Sequence, residues 1–296
     1  MEKMTSKNNK KKWTKKQKGI FFVAVLLLII GLAIKITLGI FIIETEHIEV
    51  KNGDVPKDFD GFTIVHISDL HNASFGKGNK TLINKIKKEN PDIIVVTGDL
   101  IDSRRTKVNV SLDFMKKANE IAPVFFVTGN HEVRKIDSEY LELKTSMEKL
   151  GIHIMDSKEF VIERNSSKIY IYGVGDPLHK STSREIDVLK QITSNNIKEL
   201  NIDENNFSIL LSHRAEHFSV YEENKINLTF AGHQHGGQIR TPIKKKGLYS
   251  QDNKYISGSY KHKYGEMIVS RGLGNSVNPI RINNRPHLVV AKLKAA

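Results

Sequence analysis

Short runs of consecutive apolar, largely β-branched residues punctuate the chain at 63–68 (TIVHIS), 93–97 (IIVVT), 124–128 (VFFVT), 208–212 (SILLS) and 228–231 (LTFA). None alternates apolar with polar, which fits a strand buried on both faces. Periodicity alone leaves a buried helix open, and the β-branched content and polar or glycine flanks decide for strand. Between the runs lie stretches of helical spacing: 79–90 stopped by Pro91, 108–122 stopped by Pro123, and 137–150 stopped by Gly151. A hairpin is expected over 160–174 around Asn165-Ser166-Ser167. Strand and helix alternate, so the chain predicts an α/β fold whose site lies on loops at the carboxyl ends of the strands.

A different pattern occupies the amino-terminal part. Residues 19–43 are apolar apart from Lys35 and Thr37. As a helix they would span about 37 Å against a hydrocarbon core of about 30 Å, enough to cross a bilayer. Lys35 lies late in the run and can snorkel to the nearer interface, and no small-residue cleavage signature follows, so an uncleaved anchor is preferred to a removed signal. Residues 1–18 carry eight lysines against Glu2 alone. The positive-inside rule then makes 1–18 a cytoplasmic segment and places the remainder on the extracellular side of the cell membrane. Residues 44–61, with Gly53, Pro56 and many charges, are expected to form a tether, and 62–296 a single domain.

The lysine cluster accounts for more than half of the net charge of +13. The modest basic excess elsewhere argues for contact with anionic lipid rather than a nucleic-acid partner. The chain contains no cysteine. That excludes disulfides, a thiolate metal site and a cysteine-based phosphatase.

The chemistry sits where the apolar runs end. Ser68-Asp69-Leu70-His71, Gly98-Asp99-Leu100, Gly129-Asn130-His131-Glu132, Ser212-His213 and Gly232-His233-Gln234-His235-Gly236-Gly237 form an ordered series of metal-ligand residues. Asp99 has two oxygens, so it can bridge two divalent cations about 3.5 to 4 Å apart, the spacing of two-metal phosphoryl chemistry. Imidazole, carboxylate and amide oxygen together suit Zn, Fe or Mn. Gly232, Gly236 and Gly237 give their loop the backbone freedom such convergence needs. The other histidines (His47, His66, His153, His179, His217, His262 and His287) lie outside these blocks and are read as structural or solvent-facing.

The motifs D-x-H, G-D-x-x-D, G-N-H-E, a strand-end histidine and G-H-x-H-G-G-Q resemble the calcineurin-like metallophosphoesterase family, in its bacterial membrane-anchored branch, over about residues 62–293. The resemblance implies a four-layer α/β/β/α sandwich, here preceded by one transmembrane helix, with two divalent metal ions. One ion would take Asp69, His71, Asp99 and His235, and the other Asp99, Asn130, His213 and His233. His131 would protonate or stabilise the leaving oxygen. His287 departs from the branch, where an acidic residue is commoner at that position. Asp176, Arg240 and Arg271 are further candidates, the first for assisting a ligand and the arginines for phosphate oxygens. The implied activity is hydrolysis of a phosphoester or pyrophosphate bond, with a lipid-linked or cell-envelope substrate favoured by the anchor. A UDP-diacylglucosamine-type pyrophosphatase is a specific alternative implied by the same branch. A non-catalytic envelope module should have lost ligands, and none is missing; an exonuclease should lack the anchor.

Overall fold

The computed structural model describes residues 13–136, 138–241, 247–248, 254–275 and 279–296. Asp137, the amino-terminal lysines up to Lys12 and Lys244-Lys245-Lys246 lie outside the described residues. The first half of the chain forms α1 (Lys15–Phe41), β1 (Glu44–Asn52), β2 (Thr63–Ile67), α2 (Lys80–Lys88), β3 (Ile93–Thr97), α3 (Val108–Asn119), β4 (Val124–Val127), α4 (Asn130–Val133) and α5 (Glu139–Lys149). There follow β5 (His153–Ile154), β6 (Lys158–Arg164), β7 (Ser167–Gly173), α6 (Ile186–Glu199), β8 (Phe207–Arg214), α7 (Phe218–Glu223) and β9 (Leu228–Gly232). The chain closes with β10 (Gly258–Lys261), β11 (Glu266–Val269) and β12 (His287–Ala295).

The strands form two sheets, ordered β1-β12-β2-β3-β4-β5 and β10-β11-β9-β8-β7-β6. Neighbours β2, β3, β4 and β5 pair in parallel, as do β7, β8, β9 and β11. Side chains alternate between the faces of a strand. Val65 and Ile67 on β2 therefore point to the helices, whereas Ile64 points to the second sheet. The inter-sheet core gathers Ile64, Val95, Phe125, Ile209, Leu211 and Phe230. Helix α3 buries Ser111, Phe114, Met115 and Ala118, one face at helical spacing, and α5 buries Tyr140, Leu143 and Met147 on the same outer layer. Ile197 of α6 and Tyr221 of α7 cover the other sheet. The layering is α/β/β/α, as the resemblance implied.

The sequence expectations for the five ligand-bearing strands hold to within a residue or two. Strand β8 runs further than expected, from Phe207 through His213 to Arg214. The larger difference concerns 44–61. This segment is no free tether: β1 pairs in parallel with β12 from Glu44↔His287 to Asn52↔Ala295. Glu49 and Lys51 face solvent at a sheet edge, Glu44 and Glu46 pair with Arg271, and Val50 enters the core. Helix α1 ends at Phe41, and Ile43, expected inside the anchor, is buried in the domain core. Two residues thus separate helix from sheet. Most of α1 is solvent-exposed, and at its end Gly39 packs so closely on the Arg281 carbonyl that a side chain there would overlap it.

Candidate metal centre

The residues that converge at the strand ends adopt an unusual backbone geometry. Asp69, His71, Asp99, His233 and His235 all adopt positive φ, at 50°, 46°, 52°, 70° and 47°. This left-handed region is sparsely used by residues other than glycine, and asparagine, aspartate and histidine tolerate it best. Neighbouring loops hold the conformation. Asp69 N–H donates to Gly98 O (3.0 Å), His71 N–H to Asp99 O (2.9 Å) and Gly274 N–H to Asp69 O (2.7 Å). Gly236 and Gly237 have positive φ as expected, but Gly232 does not. It is needed for close approach, since a Cβ there would overlap Ser68 Oγ.

The side chains gather into overlapping groups. Asp69, His71 and His235 form one, Asp99, His213 and His233 another, and His131 joins His71 and Asp99 in a third. His71 Nε2 lies 3.1 Å from His235 Nε2, and His235 Nε2 lies 3.4 Å from Asp69 Oδ1. On the other side His213 Nε2 is 3.1 Å from His233 Nδ1. Between them stands Asp99, but with only one oxygen directed to both. Its Oδ1 accepts from His131 N–H (2.8 Å), and Oδ2 lies 3.6 Å from His71 Nε2 and 3.3 Å from His213 Nε2. Sharing would therefore fall to one oxygen, not to the two the sequence argument assumed.

The donors suit cations. Asp69 Oδ1 and Asn130 Oδ1 are buried and have no hydrogen-bond partner. Leaving a buried acceptor unpaired costs about 1–3 kcal/mol, so both are oxygens in need of a partner. Burial, outweighing nearby carboxylates, holds His71 and His233 well below the usual histidine range and lowers His235, so these rings present lone pairs. His213 differs: burial opposes its charge, but Asp99 raises it to about 10. Its Nδ1 donates to Thr97 O (2.7 Å), which leaves Nε2, facing Asp99, to hold either a proton or a cation.

His131 is oriented by its own loop. Ser103 N–H donates to Nδ1 (2.9 Å), so the neutral ring carries its proton on Nε2, the atom 4.0 Å from Asp99 Oδ2. Burial lowers its pKa, with Asp99 opposing, which favours that neutral form.

Further buried groups support the ligands, among them Glu132, the G-N-H-E residue to which the sequence reading gave no role. Glu132 Oε2 accepts from Asp99 N–H and Gly129 N–H (both 2.8 Å), and its Oε1 accepts from Ile101 N–H (3.0 Å). It closes a capping arrangement at the start of α4 and ties the loops after β3 and β4 together. Burial pushes its carboxyl up to about 7, Asp99 adding to the effect and the three N–H groups opposing it. Buried Arg214 pairs with Asp176 (Nε–Oδ2 2.8 Å) and Glu216 (Nη1–Oε1 3.2 Å), and Glu216 Oε1 lies 3.7 Å from His233 Nε2. Asp176 thus anchors a turn through Arg214 and reaches no ligand group. Fully buried Arg281 donates to Arg271 O and Gly274 O and places Nη2 3.4 Å from His235 Nδ1. No sequence signal marked it, because an arginine between two isoleucines reads as a surface strand position.

Arg271, expected as a phosphate ligand, lies 3.1 Å from Glu44 and 3.5 Å from Glu46 on β1. Arg240 stands near it, and burial followed by the Arg271 charge lowers its pKa. The remaining histidines sit apart from the ligand groups. His66 contacts Thr97 Oγ1 (2.8 Å), His217 contacts Thr193 Oγ1 (3.0 Å), and His287 lies 2.8 Å from Glu46.

The model of the calcineurin-like phosphoesterase family matches residues 62–237. The uncharacterized metallophosphoesterase YkuE of Bacillus subtilis is 28% identical over 86% of this chain and 86% of its own. A transmembrane protein with metallophosphoesterase domain from Danio rerio is 26% identical over 84% of this chain and 57% of its own. The phosphodiesterase YaeI of Escherichia coli is 24% identical over 78% of this chain and 82% of its own.

Proposed function

The chain belongs to the calcineurin-like phosphoesterase family and is a metal-dependent phosphoester hydrolase, and from that premise we propose that it is a membrane-anchored enzyme with a two-metal centre acting on lipid-linked phosphodiesters or pyrophosphates. The observation that carries the proposal is Asp99 Oδ2, placed between the two histidine groups. One cation would be held by Asp69, His71, Asp99 and His235, the other by Asp99, Asn130, His213 and His233. When bound, such ions supply an activated water and offset charge on the phosphoryl oxygens.

The chain's own groups do the rest. Glu132 fixes the Asp99 backbone, and the Thr97 carbonyl sets the tautomer of His213. His131 holds its Nε2 proton toward the centre and donates it, as a hydrogen bond, to the leaving oxygen; full transfer requires the imidazolium form. The lipid-linked preference is supported by α1, which is long and apolar enough to cross a bilayer, and by its two-residue link to β1. The lysine bias of the amino terminus supports an extracellular site.

Full-length protein in nanodiscs, loaded with Mn or Zn, should be assayed against lipid phosphates, nucleotide-lipid pyrophosphates and soluble aryl phosphodiesters. Turnover of a lipid-linked diester or pyrophosphate above the aryl ester is expected. Hydrolysis confined to soluble esters would remove the substrate assignment and leave the metal chemistry standing.

A further inference from the structure

At the outer end of α1 a small cavity of about 110 Å³ opens between the helix and the segment before β12, lined by Lys35, Leu38, Gly39, Asn283, Asn284 and Arg285. Lys35, Leu38 and Gly39 are spaced i, i+3, i+4 and share one face of the helix. Gly39 seats that face directly on the Arg281 carbonyl. The contact is reinforced on the domain side, where Glu44 N–H donates to Pro286 O (2.8 Å) and Asn284 Nδ2 donates to His235 O (2.7 Å) and Gln238 O (3.1 Å).

Two cations border the cavity, and neither has a recorded ion-pair partner among the described residues. Arg285 is exposed, and so is Lys35, which lies one helical turn before the contact at Gly39. From Gly19 to Ile34 the helix carries no charge, a rise of about 24 Å at 1.5 Å per residue. With the amino-terminal lysines at the opposite interface, the Lys35 backbone then lies within about 6 Å of the far face of a hydrocarbon core of about 30 Å, and its long side chain snorkels the ammonium to the headgroup level. Exposed apolar side chains such as Leu32 and Ile34 lead along α1 toward the cavity, and Leu38 forms its apolar wall.

We propose that this cavity binds the phosphate of an anionic glycerophospholipid, between the Lys35 ammonium and the Arg285 guanidinium, with the acyl chains lying along α1. Guanidinium offers paired donors to a phosphate, and the ammonium adds a point charge. The cavity has room for the phosphate group of a lipid whose tails remain in the bilayer. The segment that closes it also carries Arg281 and Asn284, which contact His235, so a bound lipid would fix the metal centre at a set height above the headgroup plane. This inference rests on the reading of α1 as an embedded anchor and is independent of the metal chemistry.

Full-length protein carrying the photo-crosslinker p-benzoylphenylalanine in place of Leu38 tests it in nanodiscs of equal phosphatidylcholine and phosphatidylglycerol. EDTA is present throughout, so catalytic failure cannot affect the result. After irradiation, adduct mass should show phosphatidylglycerol strongly preferred. A basic residue near an anionic surface contributes roughly fivefold, so the additional double substitution Lys35→Gln/Arg285→Gln should lower the preference about 30-fold. Lys35→Arg should retain it. Equal adducts of the two lipids, or a preference unchanged in the double variant, would overturn the proposal. Absence of any lipid adduct would overturn the anchor reading beneath it.

Discussion

Replacing Glu132 by glutamine tests whether one buried carboxylate sets the geometry of the metal centre. The carboxylate accepts three backbone N–H groups, two on Oε2 and one on Oε1. Glutamine has a single acceptor oxygen. Placed to keep Asp99 and Gly129, it turns its amide hydrogens against Ile101 N–H. The buried Ile101 N–H left unpaired costs about 1–3 kcal/mol. Urea unfolding of the full-length protein in micelles, with an m-value of about 2 kcal/mol/M, should show a midpoint lower by about 0.5–1.5 M. The same change loosens the loop bearing Asp99 and Ser103, so retained metal should also fall. Glu159→Gln, at an exposed strand position, is the control and should cost less than about 0.5 kcal/mol. A Glu132→Gln midpoint equal to that of the control, with metal content intact, would refute the argument.

Other outcomes follow from the same geometry. Asp99→Asn should abolish most binding at both positions, whereas His71→Ala should leave about one ion of a wild-type stoichiometry near two; metal analysis after Mn or Zn loading reads both, and a wild-type value well below two would sink the binuclear reading. His131→Ala should retain metal yet lose about 10²- to 10⁴-fold in turnover, with a smaller loss for a nitrophenolate leaving group; equal losses for good and poor leaving groups would exclude its action there. Protease shaving of intact cells should digest the domain beyond residue 43, and protection until lysis would reverse the proposed orientation. Burial, aided slightly by His287, lowers His66 from 6.5 to about 3 in the folded state, so stability is full above 6.5 and declines as pH falls from there toward 3. His66→Asn removes that titration, and its unfolding free energy should fall by up to about 1.4 kcal/mol per pH unit less than that of wild type over this window; parallel pH profiles would contradict it.

The sequence by itself determined the parts that depend on local chemistry. Continuous β-branched runs ending in Asp69, Asp99, His213 and His233 could be strands in no other environment than a covered sheet, and their polar ends marked the site. Proline and glycine stops bounded α2, α3 and α5 to within a few residues, because those stops act on the chain where they stand. The apolar run leading to Gly39 was equally legible. What only the tertiary structure decided involves pairings between distant segments. Strand β12 and its partner β1 carry mixed charge and apolar residues, so neither shows its place until the two edges meet between Glu44 and Ala295. Glu132 reads as one more acid beside His131 until three N–H groups from two loops converge on it. Arg214 is buried by pairing with Asp176, 38 residues away, and Arg281 by the carbonyls of Arg271 and Gly274 across an irregular loop, where periodicity carries no information about them. The choice of Asp99 Oδ2 over Oδ1 follows from a backbone hydrogen bond to His131, a relation between two strand ends that no residue type encodes alone.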